Sequence, residues 1–225
     1  MDAPDSLSSA AAGMRLQAGR LSLIAQNLAN ASTPGFHARL EAAGDLENSS
    51  HRAVNASRAE GTVRRTDVDT DLALVGSGYF SVAAPEGVRY TRDGRMTRDA
   101  AGFLCDSNGY RVLGALGPVR FAPGTSIVAD GRVRFAGKIV DRLRLVDPTS
   151  ARFDGGYALA APGARLERAT ARVQQGHLED SSVDAIAEMS ALIAAQRSFE
   201  ANQKSVQRVD ETLKRAANDV ARARS

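Results

Sequence analysis

Three aspartates alternate at Asp67, Asp69 and Asp71. On a β-strand alternate residues share a face, and three carboxylates on one face could hold a hard divalent cation such as Ca²⁺ through oxygen ligands. The spacing lacks the bidentate glutamate of an EF-hand, and a charged strand edge that discourages unwanted pairing accounts for the same pattern. His37, His51 and His177 are far apart, with neither HExxH nor any Cys/His ligand spacing. Cys105, in Phe103-Leu104-Cys105-Asp106, reads as a small buried hydrophobe rather than a nucleophile. Gly76-Ser77-Gly78 precedes no helical pattern, so it is a turn and not a phosphate cradle. There is no Gly-x-Ser-x-Gly and no dinucleotide fingerprint. The expectation is a protein that is not an enzyme, with no catalytic, metal-binding or cofactor-binding residue and no cofactor.

The polar residues that stand out lie elsewhere. Asn27, Asn30, Gln196, Asn202 and Gln203 interrupt or flank apolar helix seams, where a polar side chain can set register and partner at some cost in stability. Leu7, Met14, Leu21 and Leu28 recur every seven residues, with Ala11, Ala18, Ala25 and Ile24 on the same side. This is an amphipathic helix with a coiled-coil period over about residues 5–30. Asn30-Ala31-Ser32-Thr33-Pro34-Gly35 ends it, and Pro-Gly suits a type II turn. The far end mirrors this. Leu192, Phe199, Val206, Leu213 and Val220 repeat at sevens, with Ala195, Val209 and Ala216 in the companion row and a capping box at Ser181 and Asp184. A helix over about residues 183–222 would be roughly 60 Å long. Its narrow seam cannot be satisfied alone. Phe36 and Phe199 are the large aromatics of the two helical zones, each able to fill a groove on a neighbouring subunit or to pack within its own.

Between the helices the period changes. Residues 71–114 alternate short apolar runs with turns at Gly76-Ser77-Gly78, Pro85-Glu86-Gly87, Asp93-Gly94, Ala101-Gly102 and Asn108-Gly109. Such spacing means antiparallel β structure. Further strands are expected near 119–121, 126–135 around Asp130-Gly131, 139–146 and 156–160. Residues 37–61 are polar and aperiodic, the pattern of a linker. The fold class is α+β: long N- and C-terminal helices pairing as a coiled coil, with an inserted antiparallel all-β domain.

The chain has 225 residues, 43% hydrophobic but only 5% aromatic, with 40 alanines and no Trp. An alanine-rich apolar fraction favours long thin helix contacts and a modest β core over one large globule. The net charge of +3 is too small for a nucleic-acid footprint. One Cys excludes an intrachain disulfide, and no apolar run approaches the ~20 residues of a membrane-spanning helix. The opening residues lack a basic n-region and an apolar h-region, so no cleavable signal is expected.

Three separated segments carry a resemblance. Leu23-Ile24-Ala25-Gln26-Asn27-Leu28-Ala29-Asn30 through Thr33-Pro34-Gly35-Phe36 resembles the N-terminal signature of flagellar basal-body rod and hook proteins. Thr70-Asp71-Leu72-Ala73-Leu74-Val75-Gly76-Ser77-Gly78-Tyr79-Phe80, followed by Tyr90-Thr91-Arg92-Asp93-Gly94 and Gly109-Tyr110-Arg111-Val112-Leu113-Gly114, is similar to the family's central motif. Gly176-His177-Leu178-Glu179-Asp180-Ser181, Glu188-Met189 and Gln196-Arg197-Ser198-Phe199-Glu200-Ala201-Asn202 resemble its C-terminal signature. The small middle is most like the proximal rod member, with the distal rod protein as the other fit.

The resemblance implies a structural subunit of the rod, the periplasmic drive shaft of the flagellum, which polymerises helically and transmits torque from motor to hook. It implies residues 1–36 and 177–225 as helices of an inner tube, 37–61 as a linker and 62–176 as a β-rich outer domain. The implied partners are copies of itself, other rod subunits (proximal and distal) and the flagellar type III export apparatus, with export to the basal body without a cleaved signal peptide. The expected polymerisation interface comprises Leu7, Met14, Leu21, Ile24, Asn27, Leu28, Asn30, Phe36, Met189, Leu192, Gln196, Phe199, Asn202, Val206, Val209 and Leu213. The alternative is a soluble coiled-coil adaptor with a β recognition domain. If Asn202 sets register, Asn202→Leu leaves the β domain folded but misregisters the polymer. Image analysis of assembled shafts checks this, and ordered shafts with normal motility would count against it.

Overall fold

The computed structural model describes residues 3–41, 54–56, 59–149, 151–154, 156–161 and 163–223, and the side chains of all of these except 3–12, 41, 54–56, 209, 210, 213 and 216–223. Two helices, α1 (Ala3–Ala29) and α2 (Ala185–Ala223), form one compact unit, and Asn30–Val183 forms the other. The first unit is therefore made from both ends of the chain, and the second is inserted between them.

In the β unit the strand Tyr79–Ala84 lies at the centre of the main sheet. It pairs antiparallel with Gly87–Thr91, Arg111–Val112 and Leu145–Pro148, with Phe80 opposite Thr91 and Leu145, and Val82 opposite Arg89 and Val112. The sheet runs outward through Tyr157–Ala160 to Ala151–Asp154 on one side, and through Leu104–Cys105 to Thr97–Arg98 on the other. Smaller antiparallel groups flank it. Arg172–Gln175 pairs with Leu72–Val75, and His177–Glu179 with Val63–Arg65. Ser126–Ile127, Arg132–Phe135 and Lys138–Arg142 form a three-stranded group, and Arg39–Glu41 pairs with Val54–Ala56. Residues 42–53, within the stretch read as a linker, lie outside the described residues.

The core collects inward-facing residues from most of these strands: Leu72, Leu74, Phe80, Val82, Met96, Leu104, Val112, Val119, Ile127, Val133, Leu143 and Val173. It is a core of Leu, Val and Ile, whereas alanine dominates the helical zones. Turn chemistry sits where the sequence put it. Asp106 accepts hydrogen bonds from the Asn108 and Tyr110 amides across Asn108-Gly109, and from the Tyr157 hydroxyl at 2.5 Å. Burial, and that bond to Asp106, hold the Tyr157 phenol well above its ordinary pKa.

Two local expectations change. Asp67, Asp69 and Asp71 do not share a strand face, because the strand ends at Arg65, Asp67 takes a left-handed φ of 58°, and the Asp71 amide closes a turn onto the Val68 carbonyl. The start of α2 is not a Ser181–Asp184 box. Asp184 caps the helix itself, accepting from the Ile186 and Ala187 amides at 2.9 and 3.1 Å. The Ser181 hydroxyl is committed elsewhere, to the Phe36 carbonyl.

Phe80 is wholly buried where two strand pairs meet. Phe80→Ala is expected to lower the unfolding free energy of the β unit by about 3–5 kcal/mol, as read by urea denaturation followed by tyrosine fluorescence.

Candidate assembly site

The expected interface residues fall into four groups. In the helical unit Ile24 and Asn27 are buried, and Met14, Leu21, Leu28, Leu192, Phe199, Asn202 and Val206 are half-buried. On α2 the covered positions continue as Glu188, Leu192, Ala195, Phe199, Asn202 and Val206, a three- and four-residue alternation that keeps one face of a helix toward a partner. Asn27, only 2% exposed, donates through Nδ2 to Glu188 Oε1 at 2.8 Å, tying α1 to α2. The amide is thus spent on the other helix of its own chain.

A second group is exposed. Met189 and Gln196 face solvent. Sequence reasoning did not single out Ile186 and Ile193, yet they stand 79% and 53% exposed and line up with Met189 at i, i+3 and i+7. At 100° per residue this stripe lies roughly 130° around α2 from the covered face. The signal was present as two isoleucines beside a methionine, but the stronger sevenfold rows masked it. Leu7, Val209 and Leu213 form the third group: they lie within the helices, and their side chains fall outside the described residues.

The remaining two, Asn30 and Phe36, belong to the β unit. The Asn30 carbonyl and carboxamide oxygens accept from the Thr33 amide and hydroxyl. Pro34 and Gly35 occupy the centre of a turn closed by the Phe36 amide on the Thr33 carbonyl, with Gly35 at φ 64°. That is the type II geometry a Pro-Gly pair favours. A Cβ at Gly35 would meet the Arg92 carbonyl oxygen at 2.1 Å, so no other residue fits. Phe36 is buried within its own chain, with the Arg39 guanidinium 5.5 Å from its ring centroid.

This turn is where the N- and C-terminal signatures meet. The Gly35 amide donates to the Glu179 carbonyl at 2.7 Å, and the Ser182 amide to the Phe36 carbonyl at 2.9 Å. Beneath them lies the Glu179 carboxylate, 1% exposed. Its Oε1 bonds His37 Nε2 at 2.9 Å and accepts the Gly61 amide at 3.1 Å, and its Oε2 accepts Arg92 Nε at 2.9 Å. The Arg92 guanidinium, itself buried, also donates to the carbonyls of Leu74, Gly76 and Gly78. Gly76-Ser77-Gly78 is therefore a turn that offers its carbonyls to an arginine. Gly61 is obligatory too, since a Cβ there would lie 1.7 Å from the Asp180 carbonyl oxygen.

Sequence reasoning quoted Arg92 and Glu179 within recognised segments but gave them no role. Their 87-residue separation leaves no spacing signal. Through these bonds the His37, Arg92 and Glu179 side chains are turned toward one another and toward the backbone of the same chain. Among the described residues no group of three His, Cys, Asp or Glu could hold a metal. Burial pushes the Glu179 carboxyl up, but the His37 hydrogen bond, the Arg92 charge and the Gly61 amide outweigh it and hold the group below its usual pKa. A carboxylate whose pKa is depressed on folding stabilises the fold above its unfolded pKa and loses that contribution as pH falls through the folded value. Glu179→Gln leaves Arg92 buried without its counter-charge and is expected to cost about 3–5 kcal/mol at neutral pH. The difference from the parent protein should shrink as urea titrations are repeated at pH values below about 4; a constant difference would remove the electrostatic explanation.

Three family models match separate parts of the chain. The family model "Flagella basal body rod protein" matches residues 7–37, "Flagellar hook protein FlgE/F/G D1 domain" matches 73–135, and "Flagellar basal body rod FlgEFG protein C-terminal" matches 174–219. The chain is 35% identical to the flagellar basal-body rod protein FlgF of Escherichia coli K12 over 85% of this chain and 88% of that protein. It is 34% identical to FlgF of Rhizobium meliloti over 80% and 83%. With the flagellar basal-body rod protein FlgG of Borreliella burgdorferi it shares 29% over 93% and 96%. The turn of residues 33–36 and the Glu179 strand that it grips lie in the first and last matched regions, and Arg92 lies in the middle one. The chain belongs to the flagellar basal-body rod protein family.

Proposed function

We propose that this chain is a structural subunit of the flagellar basal-body rod, polymerising helically with copies of itself and with neighbouring proximal and distal rod subunits. The observation that carries the reading is the stripe of Ile186, Met189 and Ile193 on α2. Burying a side chain of this size contributes about 1.5–3 kcal/mol, and all three stand more than half exposed. A helix with one face on α1 and a second apolar face open is suited to a layer in which each helix touches two neighbours. The sevenfold rows support coiled-coil pairing of α1 and α2 along their length, with Leu7, Val209 and Leu213 extending it. Gln196, exposed beside the stripe, and Asn202, within the seam, would fix the axial register of neighbouring helices.

Rod membership supports residence in the flagellar basal body, on the periplasmic side. There the chain would arrive through the flagellar type III export apparatus and carry torque as part of the shaft. The compact inserted unit suits the proximal part of the rod. A shaft subunit needs no catalytic group.

The test is complementation of a deletion strain. Ile186→Asp with Ile193→Asp places two charges on the stripe without touching the covered face. The double variant is expected to keep its circular dichroism and its denaturation midpoint. It should need a concentration more than about a hundredfold higher to assemble, the equivalent of losing two buried isoleucines, and it should fail to restore swimming or rods visible in isolated basal bodies. Normal swimming from this variant would show that the stripe is not an assembly surface.

A further inference from the structure

The β unit carries a groove of about 610 Å³ that the helix-based reading does not use. Four arginines line it, Arg142, Arg144, Arg168 and Arg172, against one carboxylate, Asp130. Asp130 is already paired with Arg132 at 2.6 Å, and Arg142 Nε is spent on the Asp130 carbonyl. The guanidiniums of Arg144, Arg168 and Arg172 have no hydrogen-bond or ion-pair partner among the described residues. The walls are fixed. The Thr170 and Ala171 amides donate to the Ser77 carbonyl, the Leu143 amide to Gly131 and the Val173 amide to Ala129. Three unpaired cations in a preformed concavity are suited to a ligand bearing carboxylates.

The same unit presents such a group. The strand Arg172–Gln175 opens at Arg172 on the groove; its other end, roughly 10 Å away, holds the loop Thr66-Asp67-Val68-Asp69-Thr70. Gln175 Nε2 donates to the Asp69 carbonyl at 2.8 Å, the Gly176 carbonyl accepts the Thr66 and Asp67 amides, and the Asp71 amide closes on Val68. The loop is therefore pinned, with Val68 48% exposed between two exposed acids. Asp67 is engaged by Arg65, while the Asp69 carboxylate has no partner among the described residues.

Resting on the rod reading, we propose that the Asp67-Val68-Asp69 knob of one copy docks into the arginine groove of the next. With the knob of each copy seated in the groove of the next, head to tail, the contact is heterologous and propagates along a helical polymer. Both are held rigid before contact, which lowers the entropy lost on docking. Charge complementarity of this kind selects the register and the partner.

Charge reversal in the full-length chain tests this, with assembly followed by light scattering as a function of concentration. Arg144→Glu with Arg168→Glu, and separately Asp67→Asn with Asp69→Lys, should each raise the concentration needed for assembly about tenfold or more. An equimolar mixture of the two variants should assemble near the parent concentration, because each supplies the opposite charge the other lacks. High salt should screen this contact, so the gap in assembly concentration between the parent and the charge variants should narrow as salt rises. Rescue on mixing also shows that the variants are folded. If neither reversal moves the assembly concentration while polymers still form, the knob-and-groove contact is overturned and the rod reading stands. If the groove variant fails and the mixture does not rescue it, the groove does not take the acidic loop of another copy, and the proposal is equally overturned. If the parent chain never assembles at any concentration, the rod reading itself falls and takes the contact with it.

Discussion

The structure depends on one buried carboxylate. Glu179 brings four parts of the chain to a single point: the residue that follows the turn after α1 through His37, the far end of the linker through Gly61, the central sheet through Arg92, and its own strand. Removing a carboxylate and a guanidinium from water costs several kcal/mol per ion, and their attraction repays this only when the remaining donors and acceptors are also satisfied. Here they are. Arg92 places its other donors on three backbone carbonyls, and Glu179 adds a backbone amide to its two side-chain partners. Such a cluster is all-or-nothing, since any one partner missing leaves a charge buried and unpaid.

The neighbouring turn chemistry follows from that constraint. Gly35 and Gly61 sit where backbone passes against backbone at distances no Cβ allows, and the carbonyls of Gly76 and Gly78 are the acceptors that Arg92 requires. Through the Gly35–Glu179 and Phe36–Ser182 hydrogen bonds, the places where the chain enters and leaves the β unit are held side by side. A subunit that transmits force through chain crossings gains from crossings fixed by hydrogen bonds and an ion pair rather than by a flexible tether.

The helical unit follows a different economy. Its seam is built from small and medium apolar residues with Asn27 fixed to Glu188, and its second stripe is left to solvent. At 39 residues α2 is longer than α1 at 27, so α1 cannot flank it along its whole length. The β unit contributes charge where the helices contribute apolar area, so the two units would bind neighbours by forces with opposite responses to salt.

Periodicity and turn residues alone were enough to read both long helices, the antiparallel middle, the type II turn at Pro34-Gly35 and the apolar rows of the seam. These are local signals, set by side-chain spacing and by the φ that Pro and Gly permit. What only the tertiary structure decided is how distant residues are spent. Phe36 turned out to be covered by its own chain, Asn27 to be committed to Glu188, and the alternating aspartates to form a pinned loop rather than a strand face. The Arg92–Glu179 pair and the arginine groove had no signature at all. Residues tens of positions apart meet through strand pairing, and whether a polar side chain is satisfied within its own chain or left for another is a property of what surrounds it. A sequence fixes the first by repetition along the chain, but the second exists only once the chain has folded back on itself.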